Sequence, residues 1–348
     1  MQRLNHILAY TALAFLLGSC YAAPYYTGTQ TNNFDGSVFF NKLPTQKTVA
    51  DLAGLAFGNL TEAADWPDWR SSQAHKVAQD RVLEGMAVTF VNHSTFLIQV
   101  DGLNILTDPI WADRASPVQW AGPKRVQAPG VRLADLPAID VVLISHNHYD
   151  HLDEGTLRQL LTQQDTAPVI IAGLGNGQLL QTFGYADPVD LDWEASHRVA
   201  SAAGAVEFIF SEARHRSGRG VGDQMKTLWG AFVIKTSQGN VYFAGDTGYG
   251  PHFKHTGDVH GPFRLALLPI GAYQPRWFMA DIHTDPAEAV QAHLDLRSEQ
   301  SFGMHFGTFQ LTYEGIDKPQ EDLQVALAAQ DVDTATFEVL APGVVRIF

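Results

Sequence analysis

Between Ala22 and about Arg81 hydrophobic and polar positions follow no period, and Pro24, Pro44 and Pro67 interrupt a scatter of aromatics such as Tyr26, Phe39 and Trp66. Without periodicity a segment has no continuous face to bury, so this stretch predicts a tether and an arm packed on the body. At Ala87 the pattern sharpens. Runs rich in Val, Ile, Phe and Thr cover residues 87–92, 94–100 and 103–107, and Asp101-Gly102 between the last two has the composition of a tight hairpin turn. Further runs at 140–145, 168–172, 206–210, 231–235, 241–244, 265–270 and 337–348 alternate with helical stretches. Asp285-Pro286-Ala287-Glu288 predicts a helix start, with Asp285 capping, Pro286 in the first position and Glu288 completing a capping box. Ala287, Val290, Gln291 and Leu294 then share one face. Many strands with interspersed helices predict an α/β fold of two sheets with helices outside, with a single wound sheet as the alternative. No repeat shows in the sequence.

The first residues read differently. Arg3 gives a positive start, Ile7 to Leu17 is an apolar run too short to span a bilayer, and Leu17-Gly18-Ser19-Cys20 follows it. Leu-Gly-Ser-Cys resembles a bacterial lipobox, which implies cleavage before Cys20 and its acylation; the alternative is an ordinary secretory signal cut near Ala22-Ala23. Export is expected either way, and the lipobox places the chain, lipid-anchored, on the periplasmic face of a bacterial outer membrane. The expected organisation is a signal peptide at 1–19, a tether and arm at 20–81, and a single catalytic domain at 82–348.

With 45% hydrophobic and 17% charged residues and no low-complexity run, the body is expected to fold by burial. Cys20 is the one cysteine, so no disulfide is available. The net charge is −14, or −15 once residues 1–19 are removed with Arg3. Such a body makes nucleic acid an unsuitable partner and is repelled by anionic headgroups, so membrane residence needs an apolar attachment, which acylated Cys20 supplies.

The candidate chemistry begins at His146-Asn147-His148-Tyr149-Asp150-His151, directly after an apolar run. In extended chain His146 and His148 project to one side, while Asp150 and His151, beyond a change of direction, can face a second ion. Neutral imidazoles with a few carboxylates suit zinc better than calcium or magnesium. His215, Asp246 and His305 each lie near glycines at an expected strand-to-loop junction and complete a donor set.

The HxHxDH motif with the later His, Asp and His resembles the metallo-β-lactamase superfamily. Residues 106–110, 115–117, 122–125, 143–153, 243–249 and 269–279 resemble its N-acylphosphatidylethanolamine-hydrolysing phospholipase D branch, over roughly Ala87 to Gln330. The resemblance implies an αββα sandwich with two zinc ions at the sheet edges and a homodimer. It assigns His146, His148 and His215 to one ion and Asp150, His151 and His305 to the other, with Asp246 bridging. Two Zn²⁺ with two carboxylates and a bridging hydroxide leave a charge of about +1 for an anionic phosphodiester.

The expected reaction is attack of that hydroxide on phosphorus, giving phosphatidic acid and an N-acylethanolamine. His283 is the candidate that serves the leaving alcohol, and Asp108 is placed to orient a ligand histidine. Tyr273 and Arg276 are candidates for binding phospholipid substrate. His93 reads as structural, and surface positions are expected for His75, His197, His252, His255, His260 and His293. The competing functions are a lactonase or other acyl-ester hydrolase on the same dinuclear site, and a non-catalytic zinc or lipid carrier.

Overall fold

The alternating runs after Met86 form an antiparallel meander of β1 (Met86–Asn92), β2 (Thr95–Val100) and β3 (Leu103–Thr107) in the computed structural model, which describes residues 23–44 and 63–348. The signal segment and Cys20 lie outside the described residues. Asp101 and Gly102 turn β2 into β3 with φ of 53° and 78°, the pair of positive values that a primed two-residue turn requires. β4 (Val141–Ile144), α1 (Glu154–Thr162), β5 (Val169–Gly173), α2 (Asn176–Thr182) and β6 (Val189–Leu191) follow, and the three strands extend the sheet from β3 in parallel. Parallel neighbours require a crossover, and α1 and α2 supply two of them.

The second sheet repeats this plan. β7 (Ser196–Ser201), β8 (Gly204–Ser211), β9 (Ala231–Thr236) and β10 (Gly239–Phe243) pair antiparallel. After α3 (Pro251–His260), β11 (Leu265–Pro269) adds in parallel. Then come α4 (Arg276–Met279), α5 (Pro286–Asp295), β12 (Ser301–Met304), α6 (Lys318–Ala329) and β13 (Phe337–Glu338), the last two strands again parallel. β14 (Val345–Ile347) returns to the first sheet and lies antiparallel on β1, so both sheets have seven strands. Each shows three antiparallel pairings followed by three parallel ones, a duplication of topology without a sequence repeat.

The expected single strand at 337–348 is therefore two, broken at Pro342 and Gly343 (φ 86°) and shared between the sheets. β6, β7 and β12 were outside the expected strands because hydrophobic alternation does not mark them. β6 has three residues, β7 alternates exposed and half-buried positions, and β12 contains Ser301 and Gly303.

Period-two alternation divides the first sheet between two cores. Val88, Ile98, Ile105, Leu143 and Ile171 join the core shared with the second sheet, whereas Leu97, Leu106, Val142, Ile144 and Ile170 meet Leu157 and Leu160 of α1 and Leu179 and Leu180 of α2. Ala289, Val290 and Leu296 around α5, with Leu323 and Leu327 of α6, bury on the second sheet. The architecture is an αββα sandwich. The expected capping box at Asp285 and Glu288 is present. Ala287 and Leu294, expected on one face with Val290, are exposed, because α5 buries the arc of Pro286, Ala289, Val290 and His293 against α6 and β11. No helix among the described residues is long and apolar enough to cross a membrane.

Candidate metal centre

β1, β3 and β4 run in one direction, and so do β8, β10, β11 and β12 in the second sheet. The segments leaving their C-terminal ends carry His93, Asp108, the 146–151 motif, His215, Asp246, His283 and His305, respectively from β1, β3, β4, β8, β10, β11 and β12. Rigid strands fix where each segment starts, and the loop then aims the side chain. The chain reverses at the motif, where His151 N and Leu152 N both donate to His148 O (3.1 and 2.9 Å).

Six of these imidazoles, on His93, His146, His151, His215, His283 and His305, lie within 4.0 Å of Asp246 or Asp150. Asp246 Oδ2 lies 3.1 Å from both His151 Nε2 and His305 Nε2, and 3.7 and 3.9 Å from His215 Nε2 and His146 Nε2. Asp150 Oδ2 lies 3.3 Å from His151 Nε2 and His305 Nε2. His148 Nδ1 is 2.9 Å from His146 Nε2 and 3.4 Å from His215 Nε2. Four ligands at zinc bond lengths in a tetrahedron stand about 3.4 Å from one another. The spacing of these donors fits that edge on both sides of Asp246. Among the described residues, buried His151 Nε2 and Asp246 Oδ1 find no hydrogen-bond partner, as donors facing a cation would not.

Bonds behind the cluster fix the rings. Asp108 Oδ2 faces His151 Nδ1 at 2.6 Å and accepts from Ser145 Oγ (2.6 Å), whose oxygen stands 2.9 Å from His146 Nδ1. One buried carboxylate thus governs two imidazoles and leaves each Nε2 directed inward. His215 Nδ1 donates to Ile282 O (2.8 Å), leaving its Nε2 inward as well. Backbone strain accompanies the geometry: His93, Asp108 and His305 have φ of 48°, 32° and 61°. Gly245 (φ 58°) allows the β10 loop against Ser145, whose Cβ would lie 2.5 Å from a Cβ there. Gly271 meets His305 O at a distance that admits no side chain.

Burial and charge oppose each other throughout. Burial, and then neighbouring imidazoles, hold His146 and His148 well below the ordinary histidine value. Burial lowers His215 to about 4 and His93 to about 3. At His305 burial is outweighed by Asp246 and Asp150, which push it up to about 9, and His151 is raised well above 6.5 by Asp246, Asp150 and Asp108 against its burial. Burial disfavours charge on Asp150 and Asp246, yet the adjacent imidazoles keep both carboxyls well below their usual range. Such a cluster demands positive charge, which a divalent cation supplies in place of protons.

The structure brings together all seven expected ligands, and also His283, whose Nε2 is 4.0 Å from Asp246 Oδ2. It adds His93, expected to be structural: its Nε2 is 3.1 Å from Asp150 Oδ2. A lone histidine at a turn carries no spacing signal. Arg219, also unmarked in the sequence, donates to Asn147 O and Leu152 O (3.0 and 2.9 Å), pinning both ends of the motif. Tyr273 and Arg276 have other partners than an open pocket. Tyr273 is buried and its hydroxyl donates to Asp322 (2.6 Å), while Arg276 donates to His283 O and Glu288 (2.9 and 2.8 Å). His252 and His293, expected on the surface, are buried beside Thr247 and Ser301 (3.1 and 2.8 Å).

Residues 103–306, more than half of the chain, match the Beta-lactamase superfamily domain. The chain belongs to that superfamily and is a metal-dependent hydrolase. An uncharacterized protein of Mycobacterium tuberculosis is 39% identical over 324 residues, covering 90% of this chain and 84% of its own length. N-acyl-phosphatidylethanolamine-hydrolyzing phospholipase D 1 of Caenorhabditis elegans is 34% identical over 308 residues, covering 86% of this chain and 82% of its own. Among solved structures, Igni18, a metallo hydrolase of Ignicoccus hospitalis, shares the fold with a TM-score of 0.56 at 23% identity, covering 76% of this chain and 98% of its own.

Proposed function

We propose that the chain is a dizinc phosphodiesterase of phospholipase D type, hydrolysing N-acylphosphatidylethanolamine-like phospholipids to phosphatidic acid and an N-acylethanolamine. Asp246 carries the reading. One carboxylate oxygen lies within 3.9 Å of His146 and His215 on one side and of His151 and His305 on the other. A single ion has no use for an oxygen shared in this way, whereas a pair does. On this reading His146, His148 and His215 hold one zinc, Asp150, His151 and His305 the other, and Asp246 both. The name and the 34% identity of the nematode relative support the substrate class.

Bound ions supply an activated water and neutralise a phosphoryl oxygen. The chain's own side chains do the rest. Asp108 orients His151, and through Ser145 also His146. His283, which burial holds well below its ordinary value and so neutral at pH 7, would hydrogen-bond through a ring N–H to the leaving oxygen, and the proton that completes the alcohol comes from the attacking water. Arg276 positions His283 through its backbone carbonyl. Acylation of Cys20 would hold this acidic protein at the membrane, with a homodimer as the assembly.

Turnover of N-acylphosphatidylethanolamine vesicles in ¹⁸O-water, followed by mass spectrometry, tests the reaction. The expected products are phosphatidic acid with one ¹⁸O and unlabelled N-acylethanolamine, because water attacks phosphorus. Label in a released fatty acid would establish the acyl-hydrolase alternative instead.

A further inference from the structure

His215 lies beyond the end of β8, where its peptide groups have left the sheet ladder. A buried backbone N–H and C=O there need partners from elsewhere. Both are supplied by one side chain of the N-terminal arm, Asn41, 174 positions away in sequence. Asn41 Nδ2 donates to His215 O (2.8 Å), and Asn41 Oδ1 accepts from His215 N (3.1 Å). The same oxygen accepts from Trp229 Nε1 (3.0 Å), which also reaches Ala213 O (3.1 Å). Carrying one donor and one acceptor, the amide acts toward His215 as a neighbouring strand would.

The arm that presents Asn41 is firmly seated. Phe34 and Phe39 are buried with ring centroids 4.6 Å apart, and Tyr26 packs edge-on against Phe34 at 4.9 Å. Tyr26 N donates to Lys226 O (3.1 Å) and Phe39 N to Met225 O (2.7 Å), tying the arm to the segment that precedes Trp229. Asn41 is itself 7% exposed, so water does not replace its bonds.

We propose that Asn41 is a positioning residue of the metal centre: the arm fixes the His215 backbone, and the ion on that side is held tightly only when the arm is docked. With Asn41 on the backbone and Ile282 O on Nδ1, the direction of His215 Nε2 is determined from both ends. The proposal rests on the dinuclear reading, with His215 as a ligand. Removing a partner that orients a metal ligand lowers metal affinity on the order of 10- to 100-fold.

The test uses the full chain, stripped of metal and titrated with Zn²⁺ against a chromophoric chelator, with the visible spectrum of the Co²⁺-loaded protein as a second readout. Asn41→Ala should bind one ion as wild type does and the other about 10-fold or more weakly, with the Co²⁺ spectrum altered for that ion alone. Asn41→Asp keeps the oxygen facing His215 N and Trp229 Nε1 but sets a second acceptor oxygen against His215 O; it should weaken the same ion as well, and it reads the same quantity if the alanine variant does not fold. Phe34→Leu loosens the same arm without touching His215, and should weaken the same ion by less than Asn41→Ala does while the other ion stays at the wild-type value. Wild-type affinity for both ions in Asn41→Ala and Asn41→Asp, or equal weakening of the two ions in either, would overturn the proposal. His215→Ala separates it from the reading beneath: if that variant keeps both ions at full affinity, the ligand assignment fails and not the arm contact.

Discussion

Seven imidazoles and three carboxylates meet at the strand ends, and their protonation in the metal-free chain follows from which neighbours each one faces. His305 is raised to about 9, and His151 is raised with it, so both gain affinity for protons on folding. Their contribution to stability is fully present below the unfolded value near 6.5 and is lost as pH rises through about 9. His215 and His93 go the other way, to about 4 and about 3, and their contribution is lost as pH falls from 6.5 toward those values. The stripped protein should therefore have its highest urea midpoint near pH 6.5 and a lower one at pH 9. Zinc should abolish the alkaline decline, since the cation replaces the protons on His151 and His305. A midpoint of the stripped protein that stays constant from pH 6.5 to 9 would contradict this account.

Short strands deliver these side chains, and close approach between the loops that follow them decides whether the donors converge. Gly245, next to Asp246, is such a point, with φ of 58° and Ser145 Cβ 2.5 Å from where its own Cβ would stand. Gly245→Ala should weaken metal binding by about 10-fold, because Asp246 is displaced with it. Gly204→Ala is the control: φ is 112° there but nothing lies within 4 Å, so stability should fall while metal affinity does not change. Equal losses of metal affinity in both variants would show that backbone strain, and not the loop contact, is responsible. Contiguity governs what could be read in advance. The 146–151 motif, the Asp101-Gly102 turn and the capping box of α5 are local, and each was legible in the sequence. The strand count left two sheets and a single wound sheet both open, with the αββα arrangement implied by the family resemblance alone, and β7 and β12 have no apolar alternation to mark them. His93 and Asn41 act across 57 and 174 residues, and nothing next to either records the partner that folding brings to it.

At the scale of the whole molecule, two sheets of like topology direct the C-terminal ends of corresponding strands to one site. The first sheet contributes His146, His148, Asp150 and His151, the second contributes His215, Asp246 and His305, and neither sheet alone completes a tetrahedral donor set on both sides of Asp246. The arm closes the arrangement by bonding His215 from outside both sheets. A metal titration tests this account most directly. Stripped wild-type protein should bind two zinc ions per chain and regain full activity only with the second. His148→Ala should retain one tight ion, and Asp246→Asn should weaken both, because its oxygen serves each side. A fully active wild-type sample with a single metal ion per chain would contradict the shared dinuclear centre.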